Sequence, residues 1–461
     1  MAILERTADL EHLHTCLRDA QAGTGRLVLV SGEMGIGKTT FVDLFTRELP
    51  TSVSVASIPF DGLSIPDPLG PLLDIARHLG HDIGVLTAGA SPRATVFRTI
   101  ESSLRDTENL TLIVAEDAHW ADEASLEFIR FLGRRIGALR AMAIVTYRDD
   151  ELAQGHPLRQ VIGDLATDRA LRRIALSPLS VEAIRTLAAD TTIDPVTLHA
   201  YTGGNAFFVT EVLSAGTDSP MSITDAVLGR AARLGGDARE TLETAAAIGM
   251  RVEPLTLAGV VGRPIEREIA AAFDAGLLRA DGTAIAFRHA AVQAVIIAET
   301  SPVRAQLLHA RILSYLERRP GAAASRLAFH AEQAGNRAAA HRYALTAAAE
   351  ATRLQSHREA ADQYARALRC ADAIPPHVRA EILEAHAYAC HLTSRMAEAI
   401  DSQQAAADIW QALGDRLKYG HNLRRLSRYW LYNGRYRIGG ELAEQSFETL
   451  QAFPESAEFA M

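Results

Sequence analysis

Residues 32–39 place three glycines, a lysine and a threonine at the spacing G-x-x-x-x-G-K-T, as Gly32, Gly35, Gly37, Lys38 and Thr39. Glycines in such a turn let the backbone N–H groups of Gly35, Ile36, Gly37, Lys38, Thr39 and Thr40 face inward around phosphate oxygens. They do so at the positive end of the helix that follows. Lys38 would add a point charge near the outer phosphates, and Thr39 a hydroxyl for Mg²⁺. Of 47 basic residues only Lys38 and Lys418 are lysines. Arginine's broad planar fork cannot replace a compact ammonium on a loop wrapped closely around phosphate, so lysine at position 38 carries meaning.

A second candidate is the carboxylate pair Glu116 and Asp117, which ends the apolar run Leu110-Thr111-Leu112-Ile113-Val114-Ala115. Carboxylates at the tip of a strand beside the loop strand can hold Mg²⁺ and orient the water that attacks a γ-phosphate. The competing reading is a helix cap. Arg148 follows another apolar run, residues 141–147, where a cation could sense the γ-phosphate; the competing reading is a surface arginine before Asp149-Asp150-Glu151. His119 and Trp120 follow the acid pair, and His119 reads as structural.

Positioning these groups requires an α/β domain. Apolar runs at 27–31, 52–58, 110–115, 141–147 and 171–176 predict five strands alternating with helices, hence a parallel sheet with nucleotide at the strands' C-terminal edge. Leu10, Leu13 and Leu17 recur at helical spacing before the first strand. From Ser180 onward the strand pattern stops. Short helices lead to residues 215–222, which read as a linker, and residues 254–300 predict helices with a small hairpin, like a winged helix.

Beyond Arg304 the chain is alanine-rich and helical. Segments beginning at Ser356, Ser394 and Gly434 recur about every 40 residues, which predicts helical-hairpin repeats of the tetratricopeptide (TPR) sort. Such arrays receive peptides, proteins or small ligands on a concave face. Arg424, Arg425, Arg428, Arg435 and Arg437 interleave with Tyr429, Trp430, Tyr432 and Tyr436, a pattern that could stack bases. A packing seam with a wet arginine face accounts for it equally simply and is preferred. The fold class expected is therefore a P-loop NTPase domain (1–178), a helical lid (179–220), a winged-helix-like domain (221–303) and a TPR-like solenoid (304–461).

Totals narrow the function further. With 461 residues, 48% hydrophobic, and a formal charge of −9, the chain suggests several helix-rich domains and no general affinity for nucleic acid or acidic membranes. Cys16, Cys370 and Cys390 are far apart and in no C-x-x-C arrangement, so the spacing indicates neither a disulfide framework nor a zinc site. No signal peptide or membrane-length apolar run is apparent, and a cytoplasmic location is expected. The elbow G-x-S-x-G and the zinc motif H-E-x-x-H are absent.

Several segments together resemble the large ATP-binding regulators of the LuxR type. These are Leu4-Glu5-Arg6, residues 32–39, Glu116-Asp117-Ala118-His119-Trp120-Ala121-Asp122, residues 146–151, His156-Pro157-Leu158-Arg159, Pro178-Leu179-Ser180 and residues 202–208. Those regulators belong to the signal-transducing STAND ATPases, and the same module is similar to one beside some class III adenylyl cyclases. The resemblance implies a slow ATPase that uses ATP/ADP and Mg²⁺, with Lys38 on phosphate, Thr39 on phosphate and Mg²⁺, and Glu116 and Asp117 on Mg²⁺ and water. It assigns Arg148 to phosphate sensing, Pro178 to the adenine edge, and His289 to a latch on the bound diphosphate. It leaves open which of Glu116 and Asp117 plays which part. It also implies an inducer ligand or protein on the repeats and ATP-dependent self-association.

One departure stands out. LuxR-type regulators continue to a C-terminal helix-turn-helix, of which residues 304–461 hold none, so the array is expected to be truncated. From residue 341 onward 14 Lys plus Arg face 15 Asp plus Glu, which is no basic reader domain. The alternatives are a DNA-binding regulator whose reader lies outside this chain and an accessory ATPase module of a cyclase.

Overall fold

Strands apolar on both faces need cover on both sides, and the chain meets that need with a five-stranded, fully parallel sheet flanked by helices. The computed structural model describes residues 4–60, 69–87, 92–107, 109–153, 155–215 and 223–456. The strands are β1 (Arg26–Ser31), β2 (Ser54–Pro59), β3 (Thr111–Glu116), β4 (Ala141–Tyr147) and β5 (Leu171–Ala175), in the order β2-β3-β4-β1-β5. The order corrects one expectation. β3, which ends in Glu116, is not beside β1: β4 pairs with both, Val28 opposite Ile144 and Leu112 opposite Met142. Apolar runs mark strands but carry no record of their neighbours.

Helix α1 (Thr7–Gln21) lays Leu13, Cys16, Leu17 and Ala20 on the sheet face formed by Val28, Val30, Leu112 and Ile144, all in one core. Helix α2 (Lys38–Arg47) buries Phe41, Val42 and Phe45 in that same core. The phosphate-loop segment is therefore anchored at both ends by fully buried side chains.

After β5 the N-terminal unit, which runs to Tyr315, is helical except for a three-stranded antiparallel sheet. Its strands β6 (Arg251–Val252), β7 (Leu278–Asp281) and β8 (Ala284–Phe287) are ordered β6-β8-β7. With the helices Gly236–Ile248, Pro254–Val261 and Glu266–Asp274 this has a winged-helix layout, the anticipated hairpin gaining a third strand. Gln293 Nε2 donates to Ala246 O at 2.9 Å and ties the helix Ala290–Glu299 to the first of these. Most of the anticipated linker, and the boundary at 220/221, lies outside the described residues.

The C-terminal unit, from Leu316, is a succession of antiparallel helix pairs. Alanines at its seams are sealed from solvent, among them Ala344, Ala348, Ala360, Ala361, Ala387 and Ala406. Small side chains let helix axes approach closely. Positive φ occurs in the turns at Gly335 (73°), Gln355 (59°), Ser394 (61°), Gly414 (74°) and Gly434 (76°). The first repeat's equivalent of Ser394 and Gly434 is thus Gln355, one residue before the Ser356 that the sequence alignment picks out. In the arginine–aromatic stretch Tyr429 is buried in the repeat core and Trp430 packs against it, as a seam requires, while Tyr432 and Tyr436 are exposed. Among the described residues no helix is long and apolar enough to cross a membrane.

Candidate nucleotide site

The loop between β1 and α2 stands at the C-terminal edge of the sheet. Gly37 is the N-cap of α2 with φ 102°, and no side chain caps the helix, so its first N–H groups are left for an anion. Gly35, at φ 79°, cannot be replaced by any other residue without collision: a Cβ there would lie 2.8 Å from both Asn205 Oδ1 and Phe207 Cβ. Lys38 is 7% exposed, and its ammonium donates to Gly32 O at 2.7 Å and Glu33 O at 2.9 Å, holding the loop closed on itself. Burial lowers its pKa while the charge of Asp117 opposes that shift. A buried ammonium beside an uncapped helix start and a glycine turn fits a phosphate chain.

The acid pair divides between two neighbourhoods. Burial pushes the Glu116 carboxyl up to about 7, and the nearby Thr39 hydroxyl only partly opposes that rise. Asp117 instead sits in the left-handed region (φ 54°), its N–H donating to Thr146 Oγ1 at 2.9 Å. Its carboxylate lies 3.9 Å from both His119 Nδ1 and Arg148 Nε. Neither acid caps a helix. The cap that opens the helix Glu123–Gly133 is Asp122, which accepts from Ser125 N at 3.0 Å.

Arg148 is 7% exposed, so it is no surface arginine; it is ion-paired with Glu151 and faces Asp117. His119 is buried with its Nε2 3.3 Å from Glu151 Oε2, and burial together with Arg148 and Lys38 lowers its pKa to about 3. A neutral ring enclosed in this way is a spacer between acids, as the sequence suggested.

Elements distant in sequence close over the loop. Asn205 Nδ2 donates to Met34 O at 2.7 Å, and Phe207 N to Gly35 O at 2.9 Å. The ring of Phe207 lies 4.3 Å from that of His289. His289 therefore adjoins the loop through Phe207, and burial lowers its pKa to about 4. From the wing, Arg279 Nη1 approaches Asp43 Oδ2 of α2 at 3.7 Å. Pro178 packs under Gly204, whose carbonyl accepts from Leu179 N at 2.7 Å. The N-terminal segment docks beside it: Glu5 accepts from the N–H and hydroxyl of Ser180, and Arg6 donates to Ser177 O. Asn205, Phe207, Arg279 and Glu5 were not singled out as site residues from sequence. Glu5 lies in the segment 4–6, and Asn205 and Phe207 in the segment 202–208, that carried the resemblance, but none was given a role.

Residues 2–145 match the AAA ATPase domain family. A solved STAND protein with a tetratricopeptide repeat sensor, from Pyrococcus horikoshii, shares the fold. It has a TM-score of 0.51 over 96% of this chain and 77% of that one, at 14% identity. An uncharacterized protein of Rhizobium meliloti (strain 1021) is 23% identical over 405 residues, 72% of this chain. The chain spans 39% of that relative's length. The architecture is thus a parallel-sheet domain, similar over residues 2–145 to the AAA ATPase domain, followed by helical repeats of the TPR fold.

Proposed function

We propose that this chain is a nucleotide-dependent regulatory switch, which binds ATP with Mg²⁺, hydrolyses it slowly, and takes its input on the helical repeats. The observation that carries the reading is the glycine turn at the uncapped start of α2 with the buried ammonium of Lys38 in it, Thr39 and Glu116 lying near one another beside it. A threonine and an acid brought together at the head of a glycine loop form a metal-ligand pair for a nucleotide's outer phosphates. Mg²⁺, when bound there, would offset the charge of the phosphates.

Within this reading Thr39 and Glu116 hold the metal, and the N–H groups from Gly35 to Thr40 with Lys38 hold phosphate. Asp117, facing Arg148, accepts the proton of the attacking water. Arg148, poised between Asp117 and Glu151, changes partner when a γ-phosphate is present. Pro178 flanks the adenine, and the Phe207–His289 pair closes the lid and wing over the diphosphate. A switch needs such a cover, because its closed state must outlast the chemistry.

Heat-denaturing the purified chain and identifying the nucleotide released tests this, with Lys38→Ala alongside and phosphate release followed after ATP·Mg²⁺ is added. ADP in the wild type, slow turnover, and an empty variant of unchanged helix content are expected. Neither protein carrying nor binding nucleotide would sink the assignment. The second reading, a DNA-binding regulator whose reader lies outside this chain, rests on the LuxR-type resemblance alone; a salt-sensitive gel shift on duplex DNA would support it and none would count against it.

A further inference from the structure

Two side chains in the C-terminal unit meet on one helix face. His386 and Cys390 lie one turn apart on the helix Pro376–Leu392, both buried, with Cys390 Sγ 3.4 Å from His386 Nε2. From the next helix, Met396–Leu413, Glu398 adds a carboxylate, and one ligand atom from each of the three lies within 4.8 Å of the others. The same helix supplies Ser402, whose Oγ is 2.8 Å from His386 Nδ1. That contact commits Nδ1 to the hydroxyl and aims Nε2 at the sulfur. It is the outer hydrogen bond by which metal-bound histidines are oriented.

We propose that His386, Cys390 and Glu398 bind a thiophilic divalent cation of the Zn²⁺ type, with water as fourth ligand. Bonds of about 2.0 Å to nitrogen and about 2.3 Å to sulfur, at a tetrahedral angle, place N and S about 3.5 Å apart, close to the separation present. The side chain of Glu398 is 49% exposed, so the third ligand closes the site by rotating inward from solvent and leaves an entry path. Arg395 now holds both Glu398 oxygens, at 2.8 and 2.6 Å, and Asp362 Oδ1 at 2.6 Å. The cation takes one Glu398 oxygen from Arg395, which keeps Asp362. On binding, the Cys390 thiol releases its proton to solvent as the metal–sulfur bond forms. A dication with a thiolate, Glu398, Asp362 and Arg395 leaves the cluster neutral, where the metal-free cluster carries one net negative charge.

Spacing did not disclose this site, because its ligands come from an i, i+4 pair and a neighbouring helix rather than from a cysteine pair. It does not depend on the nucleotide reading. The test is titration of the full chain, stripped with chelator, with Co²⁺ as the spectroscopic probe. One equivalent should give tetrahedral visible bands and a thiolate-to-cobalt charge-transfer band, with one proton released. The bands should persist in Cys16→Ala/Cys370→Ser, where Cys390 is the sole thiol, and vanish in Cys390→Ala. Ser402→Ala should weaken binding ~10-fold or more through loss of the outer bond. Glu398→Gln, on the exposed side where folding is not at stake, should lower affinity at unchanged melting temperature. No charge-transfer band in the wild type, a band surviving Cys390→Ala, or unchanged affinity in Glu398→Gln overturns the proposal.

Discussion

The N–H of Phe207 donates to the carbonyl of Gly35 at 2.9 Å, so a helix start far along the chain is bonded to the middle of the phosphate loop. Asn205, two residues earlier, binds Met34 O, and together the two contacts fix the outer side of the loop. The backbone bond survives any side-chain change at 207, whereas the Asn205 bond does not. Asn205→Ala should therefore cost about 1 kcal/mol of loop closure, roughly a fivefold faster release of a fluorescent ADP analogue. Stopped-flow release measures it. An unchanged rate together with a lowered melting temperature would make Asn205 a fold residue only.

Glu116 predicts a pH dependence with a definite sign. Burial raises its pKa to about 7, so the carboxyl is largely protonated below that value. Mg²⁺ needs the carboxylate. Affinity for the Mg²⁺–nucleotide complex should rise between about pH 6 and about pH 8 and then level, while nucleotide affinity in chelator stays flat. Stability runs the other way. A raised acid pKa contributes stability that is complete below the ordinary carboxylate value and lost as pH rises through about 7. Relative to Glu116→Gln, the metal-free wild type should lose on the order of 3 kcal/mol across that range, as read by denaturant melts. A variant with the same two pH profiles as the wild type would remove Glu116 from the metal site.

Local chemistry was legible in the sequence, and partnership was not. Residues 32–39 must sit in one turn to do their work, so their spacing alone reveals them. The split between Glu116 and Asp117 rests on one backbone angle, φ 54° at Asp117, which no residue type announces. The insertion of β4 between β1 and β3 and the reach of Asn205 to Met34 are long-range outcomes of packing. In the repeats the signal was faint for a physical reason. The seams are built largely of alanine with aromatics such as Trp410 and Tyr429 at irregular places, and the turns at Gln355 and Ser394 take positive φ without glycine.

Gly35→Ala should be more damaging than the conservative change suggests. A methyl group would stand 2.8 Å from Phe207 Cβ and from Asn205 Oδ1, at a backbone angle that alanine adopts only with strain. The loop or the lid must move, and either motion separates them. Nucleotide retained through gel filtration should fall to near that of Lys38→Ala while circular dichroism is unchanged. Full retention would mean that the lid does not need its present contact with the loop.

His289 and Arg279 both link the wing to the nucleotide side of the molecule, and magnitudes separate their weights. The Arg279–Asp43 pair is 3.7 Å long with both side chains about one-third exposed, so it is worth at most about 1 kcal/mol and is screened by salt. The His289 ring packs 4.3 Å from Phe207, an aromatic contact worth up to about 1.5 kcal/mol that salt does not touch. Arg279→Ala should speed ADP release no more than about fivefold at low ionic strength and not at all at high. His289→Ala should speed it up to about tenfold at either. Because burial lowers the His289 pKa to about 4, its ring is neutral near pH 7, and wild-type release should not change between about pH 6 and about pH 8 in chelator. Release that accelerates as pH rises through this window would instead make His289 a cation held on phosphate, and the contact with Phe207 incidental.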